Sequence, residues 1–423
     1  MLVQVANPSD HPLIATLPYA SRLTDWDLPD MFGVLGLHRH VVRLVELNGV
    51  SYVVKELPDD LVRREYRLLR ELDDAGLPTV EVVAAVTGKP EVDGMLVTRH
   101  LDYSIPYRTL LAGRGLTIPY LGERVLDALV GLLVRLHLAG FFWGDCSMSN
   151  TLFRRDAGAL SAYVIDMETG ERHAQLSDGQ RTLDIDVATN NVAGGLFDLQ
   201  SGGKLRDDID PMEVVLQIGE RYERLWAEVT ETRQFTPGDP HQIEQHLQRL
   251  HELGFDVEEM DIVDDGEAGS YRYVPRVVEH GFHRERLKNL TGLDTDENQA
   301  KRLLDDIRSF GIEMQGERQA HAEATGRPAR IAPENVIAVR WLDDRFEPLM
   351  ELIPDEMFDK LQAAEIYHQL LEHRWFLIEN GDAEVTLEEA LTSYIDDVLV
   401  SAPNEVNITR ESSVETDTFD VHE

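Results

Sequence analysis

The feature that most constrains the fold of this sequence is a polar loop that follows a long apolar helix. Residues 144–150 read Gly-Asp-Cys-Ser-Met-Ser-Asn, and they come shortly after residues 121–138, whose apolar spacing predicts a helix. Further along the chain, a short apolar strand ends at Asp166. We expect the chain to fold so that Asp145 and Asn150, on the loop, converge with Asp166 on one point.

These residue types suit phosphoryl transfer. Such a site needs one carboxylate that orients the attacking hydroxyl and accepts its proton, and a carboxylate and an amide that hold Mg²⁺ against the phosphates. We therefore predict Asp145 as the catalytic base, and Asn150 and Asp166 as the metal ligands. The cofactors expected are ATP and Mg²⁺.

Lys55 is a further candidate, because it lies inside an apolar strand in a chain that contains few lysines. A lysine on a half-buried strand is unfavourable unless its ammonium meets an anion. The phosphates of ATP would supply that charge, together with Glu65 on the apolar stripe of the next helix. Considered by itself, Lys55 is more typical of a lysine whose ammonium reaches the surface. Beside the polar loop, a phosphate contact is favoured.

The hydrophobic pattern predicts an α+β chain that begins with a small antiparallel sheet. A hairpin signal, Asn48-Gly49, separates two apolar strands. One helix and two more strands follow, which gives segments at 41–47, 51–57, 59–74, 79–87 and 95–101. After residue 101 the pattern becomes mostly helical.

We expect four segments along the chain. Residues 1–100 form the small sheet with one helix, and residues 101–235 form a mainly helical lobe that carries the polar loop. A polar segment with Pro and Gly then marks a boundary. Residues 236–400 are expected to be mostly helical, with one helix over 241–253 and two strands near 255–263 and 271–278. Residues 401–423 are expected to be a disordered acidic tail.

Charge and composition limit the partners and the compartment. A formal charge of −38, from 40 basic and 78 acidic residues, would repel the phosphates of nucleic acid. No stretch reaches the roughly 20 apolar residues needed to cross a bilayer. The first residues lack the pattern of a signal peptide, and a single cysteine, Cys146, agrees with a reducing compartment. We expect a cytoplasmic protein with no nucleic-acid partner and no transmembrane segment.

A glycine-rich phosphate loop is only partly present. Gly33-Val34-Leu35-Gly36 offers two glycines but not the full Gly-x-Gly-x-x-Gly pattern. Gly33 and Gly36 are therefore candidate phosphate-loop residues.

Together these features resemble a known family. The polar loop, the strand lysine and residues 65–78 look like the lipopolysaccharide-kinase (Kdo/WaaP) and RIO-kinase branch of the protein-kinase-like superfamily. Up to about residue 400, the chain is similar to an uncharacterised bacterial family that joins this module to a C-terminal domain of unknown function. The similar stretches are 36–56, 132–171, 176–199, 290–293 and 372–377. The resemblance implies a bilobal protein-kinase-like fold with a mostly helical C-terminal domain.

The resemblance also implies roles for individual residues. Lys55 would contact the ATP phosphates and Glu65 would pair with it, while Asp145 would be the base and Asn150 and Asp166 would bind the metal. A hinge would meet adenine through its backbone groups, and its residues would be Thr98, Arg99, His100 and Leu101.

Two positions depart from the usual kinase pattern. Trp143 stands where kinases usually have His or Arg before the catalytic Asp. Asp166-Met167-Glu168 replaces Asp-Phe-Gly and resembles the Asp-x-Glu of small-molecule kinases such as choline kinases, in which no switching activation segment is expected.

The leading hypothesis is an ATP- and Mg²⁺-dependent phosphotransferase that acts on a hydroxyl of a sugar, lipid-linked or other small acceptor, such as an envelope precursor. One alternative is a Ser/Thr protein kinase. Another is a nucleotide-binding pseudokinase scaffold whose C-terminal domain recruits a protein partner.

Asp184 and Asp186 resemble the helix acid that braces a kinase catalytic loop through backbone hydrogen bonds, and we treat them as structural. For Cys146, a packing role is favoured over a nucleophile.

His38 and His40 have the spacing of a two-residue chelate, but no acidic or Cys ligand lies near them in sequence. Asp294 and Glu297 predict a capping box at a helix start rather than a calcium loop, because Gln299 stands where that loop needs Gly.

Overall fold

The computed structural model describes residues 1–33, 40–90, 92–112, 121–205, 209–230, 233–234, 257–264, 271–277, 281–325, 332–379 and 385–406. These residues form two compact units. Unit 1 contains the described residues of Met1–Arg154 and Ser161–Val278, and unit 2 contains those of Arg155–Leu160 and Glu279–Val406.

Unit 1 begins with a six-stranded antiparallel sheet in the order β1-β5-β6-β4-β3-β2. Its strands are β1 (Leu2–Val5), β2 (Met31–Gly33), β3 (Val41–Leu47), β4 (Val50–Leu57), β5 (Val82–Thr87) and β6 (Gly94–Arg99). Between β3 and β4, Asn48 and Gly49 have φ values of 51° and 78°. Two positive φ values are what the tightest hairpin turns require, so the predicted hairpin is confirmed.

The helix of this sheet, α1, spans Asp59–Asp74, as the apolar spacing predicts. Its buried face consists of Val62, Glu65, Leu68, Leu69 and Leu72. Asp59 and Asp60 lie in the first turn, where negative charge stabilises the positive end of the helix dipole. Because Glu65 belongs to the buried face, its carboxylate lies inside the unit rather than in solvent.

A segment before β2 completes the core on one face of the sheet. Ile14, Leu23 and Trp26 are buried in one cluster with Tyr52 and Val54 of β4. The apolar residues of this segment follow neither the helical nor the strand period, so their packing could not be predicted from the sequence.

The rest of unit 1 is mainly helical. Its helices are α2 (Tyr107–Ala112), α3 (Leu121–Leu138), α4 (Asp178–Ser201) and α5 (Pro211–Thr230), and α3 has the predicted bounds. Short strands form two small sheets, β10-β9-β7 and β11-β8. They are β7 (Ile105–Pro106), β8 (Phe141–Phe142), β9 (Thr151–Asp156), β10 (Ala159–Val164) and β11 (Glu171–Arg172). The α+β class, with a small sheet and one helix followed by a helical lobe, is confirmed.

A further three-stranded sheet of unit 1 has the order β12-β14-β13. The strands are β12 (Arg233–Gln234), β13 (Val257–Asp264) and β14 (Tyr271–Val277), so the two strands expected near 255–263 and 271–278 are present. The helix expected over 241–253 lies outside the described residues, as do residues 407–423 of the expected tail. The expected domain boundaries near 100, 235 and 400 stay predictions.

Unit 2 is built mostly from helices, which agrees with the helical C-terminal domain expected from the sequence. They are α6 (Phe282–Thr291), α7 (Glu297–Thr325), α8 (Glu334–Trp341), α9 (Glu347–Glu351), α10 (Ala363–Glu379) and α11 (Leu387–Asp397). The core of this unit includes Trp341, Phe346 and Tyr367, whose rings lie between 5.2 and 5.6 Å apart.

The start of α7 is capped by a residue that is distant in sequence. The buried Asp156 carboxylate accepts hydrogen bonds from the backbone N–H groups of Asn298 (3.2 Å) and Gln299 (2.8 Å). Asp294 instead accepts from the Arg284 guanidinium at 2.9 Å. The predicted helix start is correct to within a few residues, but the predicted capping by Asp294 is wrong because Asp156 already binds those amides.

No helix among the described ranges is long and apolar enough to cross a membrane.

Candidate active site

Two glycines shape the loop that carries Asp145. Gly140 and Gly144 have φ values of 82° and 76°, which glycine adopts without strain. A Cβ on Gly140 would lie 2.2 Å from the backbone oxygen of His173, and one on Gly144 would lie 2.9 Å from the ring of Phe142. Both positions therefore require glycine, on either side of β8.

Asp184 of α4 holds the backbone just before the loop. Its Oδ2 accepts from the N–H of Trp143 at 2.7 Å, and its Oδ1 accepts from the N–H of Gly144 at 2.8 Å. His137 Nε2 lies 3.0 Å from the same carboxylate, and His137 Nδ1 lies 2.7 Å from the hydroxyl of Tyr222. The predicted bracing by Asp184 is confirmed. Asp186 is exposed and takes no such part.

The Asp145 carboxylate is held by two side-chain amides. Asn150 Nδ2 donates to Oδ2 at 3.1 Å, and Asn191 Nδ2, from α4, donates to Oδ1 at 2.9 Å. Burial raises the pKa of Asp145 above its ordinary value, and the charges of Asp166 and Glu168 raise it further, while the two amide hydrogen bonds lower it. The sequence linked Asp145 with Asn150, but it gave no expectation for Asn191.

Lys55, on β4, meets three carboxylates. Its ammonium lies 3.1 Å from Glu65 Oε2, 2.6 Å from Asp166 Oδ2 and 3.4 Å from Glu168 Oε2. Burial lowers the pKa of Lys55, but the negative charges of the three carboxylates raise it by more. The pKa of Lys55 is therefore above its ordinary value. The predicted Lys55–Glu65 pair is present in the structure, and Asp166 joins it.

Glu65 is almost completely buried. Burial, followed by the charge of Asp166, raises the pKa of its carboxyl, whereas the Lys55 ammonium lowers it. Both carboxylate oxygens lie within 3.3 Å of Lys55 Nζ. Removal of the Lys55 cation would leave this buried carboxylate without its ion-pair partner, which is strongly destabilising.

The same three carboxylates could hold a cation. Within the described part of the chain, one oxygen each from Glu65, Asp166 and Glu168 lies within 4.8 Å of the others. Carboxylate oxygens are ligands that Mg²⁺ accepts, so the donor set fits this ion. Asn150 donates through Nδ2, which leaves its amide oxygen as its possible metal ligand.

Trp143 links the loop to the segment after β10 that contains Asp166. Its indole Nε1 donates to the backbone oxygen of Asp166 at 2.8 Å, and its own backbone oxygen accepts from Thr169 Oγ1 at 3.0 Å. The side chain is fully buried. The residue that departs from the usual kinase pattern therefore holds Asp166 in place.

Glu168 also contacts His40, whose Nε2 lies 3.1 Å from Glu168 Oε2. The sequence suggested no acidic partner for His40, because the two residues lie far apart in the chain. His38 lies outside the described residues. Glu168 thus connects the start of β3 with Lys55, a link that sequence spacing does not reveal.

Cys146 is completely buried, and this burial, together with the charges of Asp184 and Asp145, raises the pKa of its thiol well above the ordinary value. A neutral buried thiol is a poor nucleophile. The favoured packing role fits this environment.

Of the described candidate glycine and hinge residues, three lie in strands of the sheet. Gly33 is the last residue of β2 and pairs with Arg43, while Gly36 lies outside the described residues. Thr98 and Arg99 end β6. The N–H groups of Arg99 and His100 donate to the backbone oxygens of Glu81 (2.8 Å) and Ser51 (2.9 Å).

Two family models match the chain. Residues 38–186 match the lipopolysaccharide kinase (Kdo/WaaP) family, and residues 224–399 match the domain of unknown function (DUF4032). The resemblance drawn from the sequence is confirmed. The two matches are consistent with a kinase-like module followed by a C-terminal domain without an assigned role.

Comparison with individual proteins adds little. None of the curated proteins matches this chain. Among solved structures, one of WaaP in complex with acyl carrier protein is 15% identical and covers 60% of this chain and 99% of its own, with a TM-score of 0.37. At that TM-score, the fold assignment depends on the observed elements and on the family match.

Proposed function

We propose that this chain, a Kdo/WaaP-type kinase module joined to DUF4032, is an ATP- and Mg²⁺-dependent kinase that phosphorylates a hydroxyl of a sugar, lipid-linked or other small acceptor. The observation that carries this assignment is the convergence of Lys55, Glu65 and Asp166. They come from a strand, a helix and a loop, yet the Lys55 ammonium lies within 3.1 Å of both carboxylates.

Asp145 acts as the base. It accepts the proton of the acceptor hydroxyl while the hydroxyl oxygen forms a bond to the γ-phosphorus. The bond from that phosphorus to the β–γ bridging oxygen breaks, and ADP leaves. With both oxygens fixed by amides, the carboxylate is held ready for this transfer.

Lys55 binds the nucleotide phosphates, and Glu65 orients its ammonium. When bound, Mg²⁺ would neutralise the negative charge of the nucleotide phosphates. Asn150 and Asp166 are the proposed ligands, and the carboxylate cluster adds Glu168 as a further candidate. In this structure the Lys55 ammonium contacts Asp166 directly. The ammonium is therefore the cation that balances the charge of these carboxylates.

Gly33 and Gly36 are proposed to approach the phosphates, and residues Thr98, Arg99, His100 and Leu101 to meet the adenine. Because the N–H groups of Arg99 and His100 already donate within the protein, other main-chain groups of this hinge must serve the base.

A small acceptor, including an envelope precursor, suits the Asp-x-Glu pattern at Asp166 and Glu168 and the match to a lipopolysaccharide-kinase family. We place the reaction in the cytoplasm, where ATP is available. A protein partner that binds the C-terminal domain is compatible with this assignment.

The test is ATP turnover by the wild type and by Asp145→Asn, with Asp186→Asn as the matched control. Asp186 is an exposed acid on α4, so the control should turn over ATP like the wild type. Loss of a general base lowers the rate by roughly 10²- to 10⁴-fold. Equal turnover by Asp145→Asn and wild type would reject the assignment.

The same proteins discriminate between the alternatives. A pseudokinase scaffold would be stabilised by ATP in a thermal-shift assay without any turnover. A Ser/Thr protein kinase would label its own serines or threonines, which mass spectrometry detects.

A further inference from the structure

Asn191 stands out because its amide touches both the side chain and the backbone of the catalytic loop. Its Nδ2 donates to Asp145 Oδ1 at 2.9 Å and to the backbone oxygen of Cys146 at 3.2 Å. A primary amide has two N–H bonds, so both are used here.

The orientation of this amide is determined by its surroundings. Asp145 Oδ1 and the Cys146 oxygen are both acceptors at neutral pH. If the amide were flipped, its oxygen would face these two acceptors without a donor, so Nδ2 must point toward them.

The position of Asn191 on α4 is equally specific. Asp184 and Asn191 are seven residues apart, close to two helical turns, so they lie on the same face of the helix. Asp184 holds the backbone of Trp143 and Gly144, and Asn191 holds the next two residues. One helical face therefore holds four consecutive residues, from the residue before the loop to the third residue of the loop.

We propose that Asn191 is a positioning residue for phosphoryl transfer, which fixes the plane of the Asp145 carboxylate so that its free lone pairs face the acceptor hydroxyl. This inference rests on the proposed role of Asp145 as the base. Asn150 binds one carboxylate oxygen and Asn191 the other, so rotation about the Cβ–Cγ bond would break both bonds. Each oxygen has two lone pairs, so one remains on each for the substrate.

The first variant is Asn191→Leu, which has the same branched side-chain shape but no donor. Its matched control is Asn190→Leu on the same helix. Asn190 is exposed, and its Nδ2 donates to the backbone oxygen of Asp186 at 2.8 Å, within the helix itself. We expect Asn191→Leu to lower kcat roughly tenfold, within the range of positioning effects. The KM for ATP should stay unchanged, because Asn191 contacts the base and not Lys55. Asn190→Leu should keep the wild-type kcat.

A second variant, Asn191→Asp, has the shape of asparagine but offers only acceptors once ionised. Because this variant keeps the volume of the side chain, a lower kcat cannot be caused by altered packing. We expect Asn191→Asp to lower kcat at least as much as Asn191→Leu. If Asn191→Asp retains wild-type kcat, a donor is not needed there and the inference is wrong.

A double-mutant cycle separates positioning from a purely structural role. In the Asp145→Ala background there is no carboxylate to orient, so Asn191→Leu should cause no further fall in residual turnover. If Asn191→Leu lowers the turnover of Asp145→Ala by the same factor as that of the wild type, Asn191 only supports the loop and the inference is overturned. The inference is also overturned if Asn191→Leu alone raises the KM for ATP and lowers the Tm. Failure of the proposed function has a different signature, because Asp145→Ala alone would then keep full turnover.

Discussion

At the residue scale, the buried cluster around Lys55 predicts an asymmetry between two substitutions. Lys55→Met leaves three carboxylates close together without a cation, and loss of one partner of a buried pair typically costs about 3–5 kcal/mol. Glu65→Gln removes a charge whose burial is unfavourable and leaves Asp166 and Glu168 beside Lys55, so its effect on the free energy of unfolding should be much smaller. Urea unfolding of both variants measures the difference.

Mg²⁺ provides the control for this comparison. If the three carboxylates form a cation site, added Mg²⁺ should raise the Tm of Lys55→Met more than that of the wild type. Equal losses of stability in Lys55→Met and Glu65→Gln, with no Mg²⁺ effect, would contradict this account of the cluster.

Residue types alone were enough to propose part of the candidate site. Asp145, Asn150 and Asp166 could be proposed because their spacing matches a chemical requirement, and Lys55 because a charge inside an apolar strand needs a partner. Asn191 and His40 could not be found in this way. Their contacts cross more than 40 residues and leave no periodic signal, so only the folded chain reveals them.

At the element scale, periodicity identified the elements that have one amphipathic face. The bounds of α1 and α3 agree with the sequence, and in both cases a glycine lies two residues after the end of the helix. The N-terminal segment before β2 and the cap of α7 were not predicted. The first packs by irregular apolar contacts, and the second depends on Asp156, which lies 142 residues before Asn298.

The cap of α7 gives a prediction at this scale. Asp156→Ala removes the acceptor for the N–H groups of Asn298 and Gln299, and loss of a helix cap costs about 0.5–2 kcal/mol. Asp294→Ala is the matched control, because Asp294 is an exposed acid just before the same helix and its surface ion pairs contribute about 0–1 kcal/mol. Thermal unfolding should show a lower Tm for Asp156→Ala than for Asp294→Ala. An equal Tm for the two variants would mean that Asp156 does not cap the helix.

At the scale of the whole molecule, charge is the property that the sequence defines directly. A formal charge of −38 implies strong repulsion between surface carboxylates in the folded chain. The division into units is less accessible to sequence, because Arg155–Leu160 belongs with residues that follow it by more than a hundred positions. Composition along the chain does not change at such a boundary.

The charge predicts how stability responds to salt. The screening length falls from about 30 Å at 0.01 M salt to about 8 Å at 0.15 M, so surface repulsion should weaken over this range. We expect the Tm to rise as NaCl is increased from low concentration to about 0.15 M and then to level off. A Tm that does not change, or that falls, would show that attractive ion pairs outweigh the net repulsion.

Asp145 and the residues around Lys55 are proposed to transfer the γ-phosphate of ATP to a small hydroxyl acceptor. The most direct measurement incubates wild type, Asp145→Asn and Asp186→Asn with Mg²⁺, ATP labelled at the γ-phosphate and a bacterial extract of sugars and lipid-linked precursors. We predict that wild type and Asp186→Asn label a non-protein product, and that Asp145→Asn leaves it unlabelled. Label confined to protein, or an equal product yield from Asp145→Asn, would contradict the account.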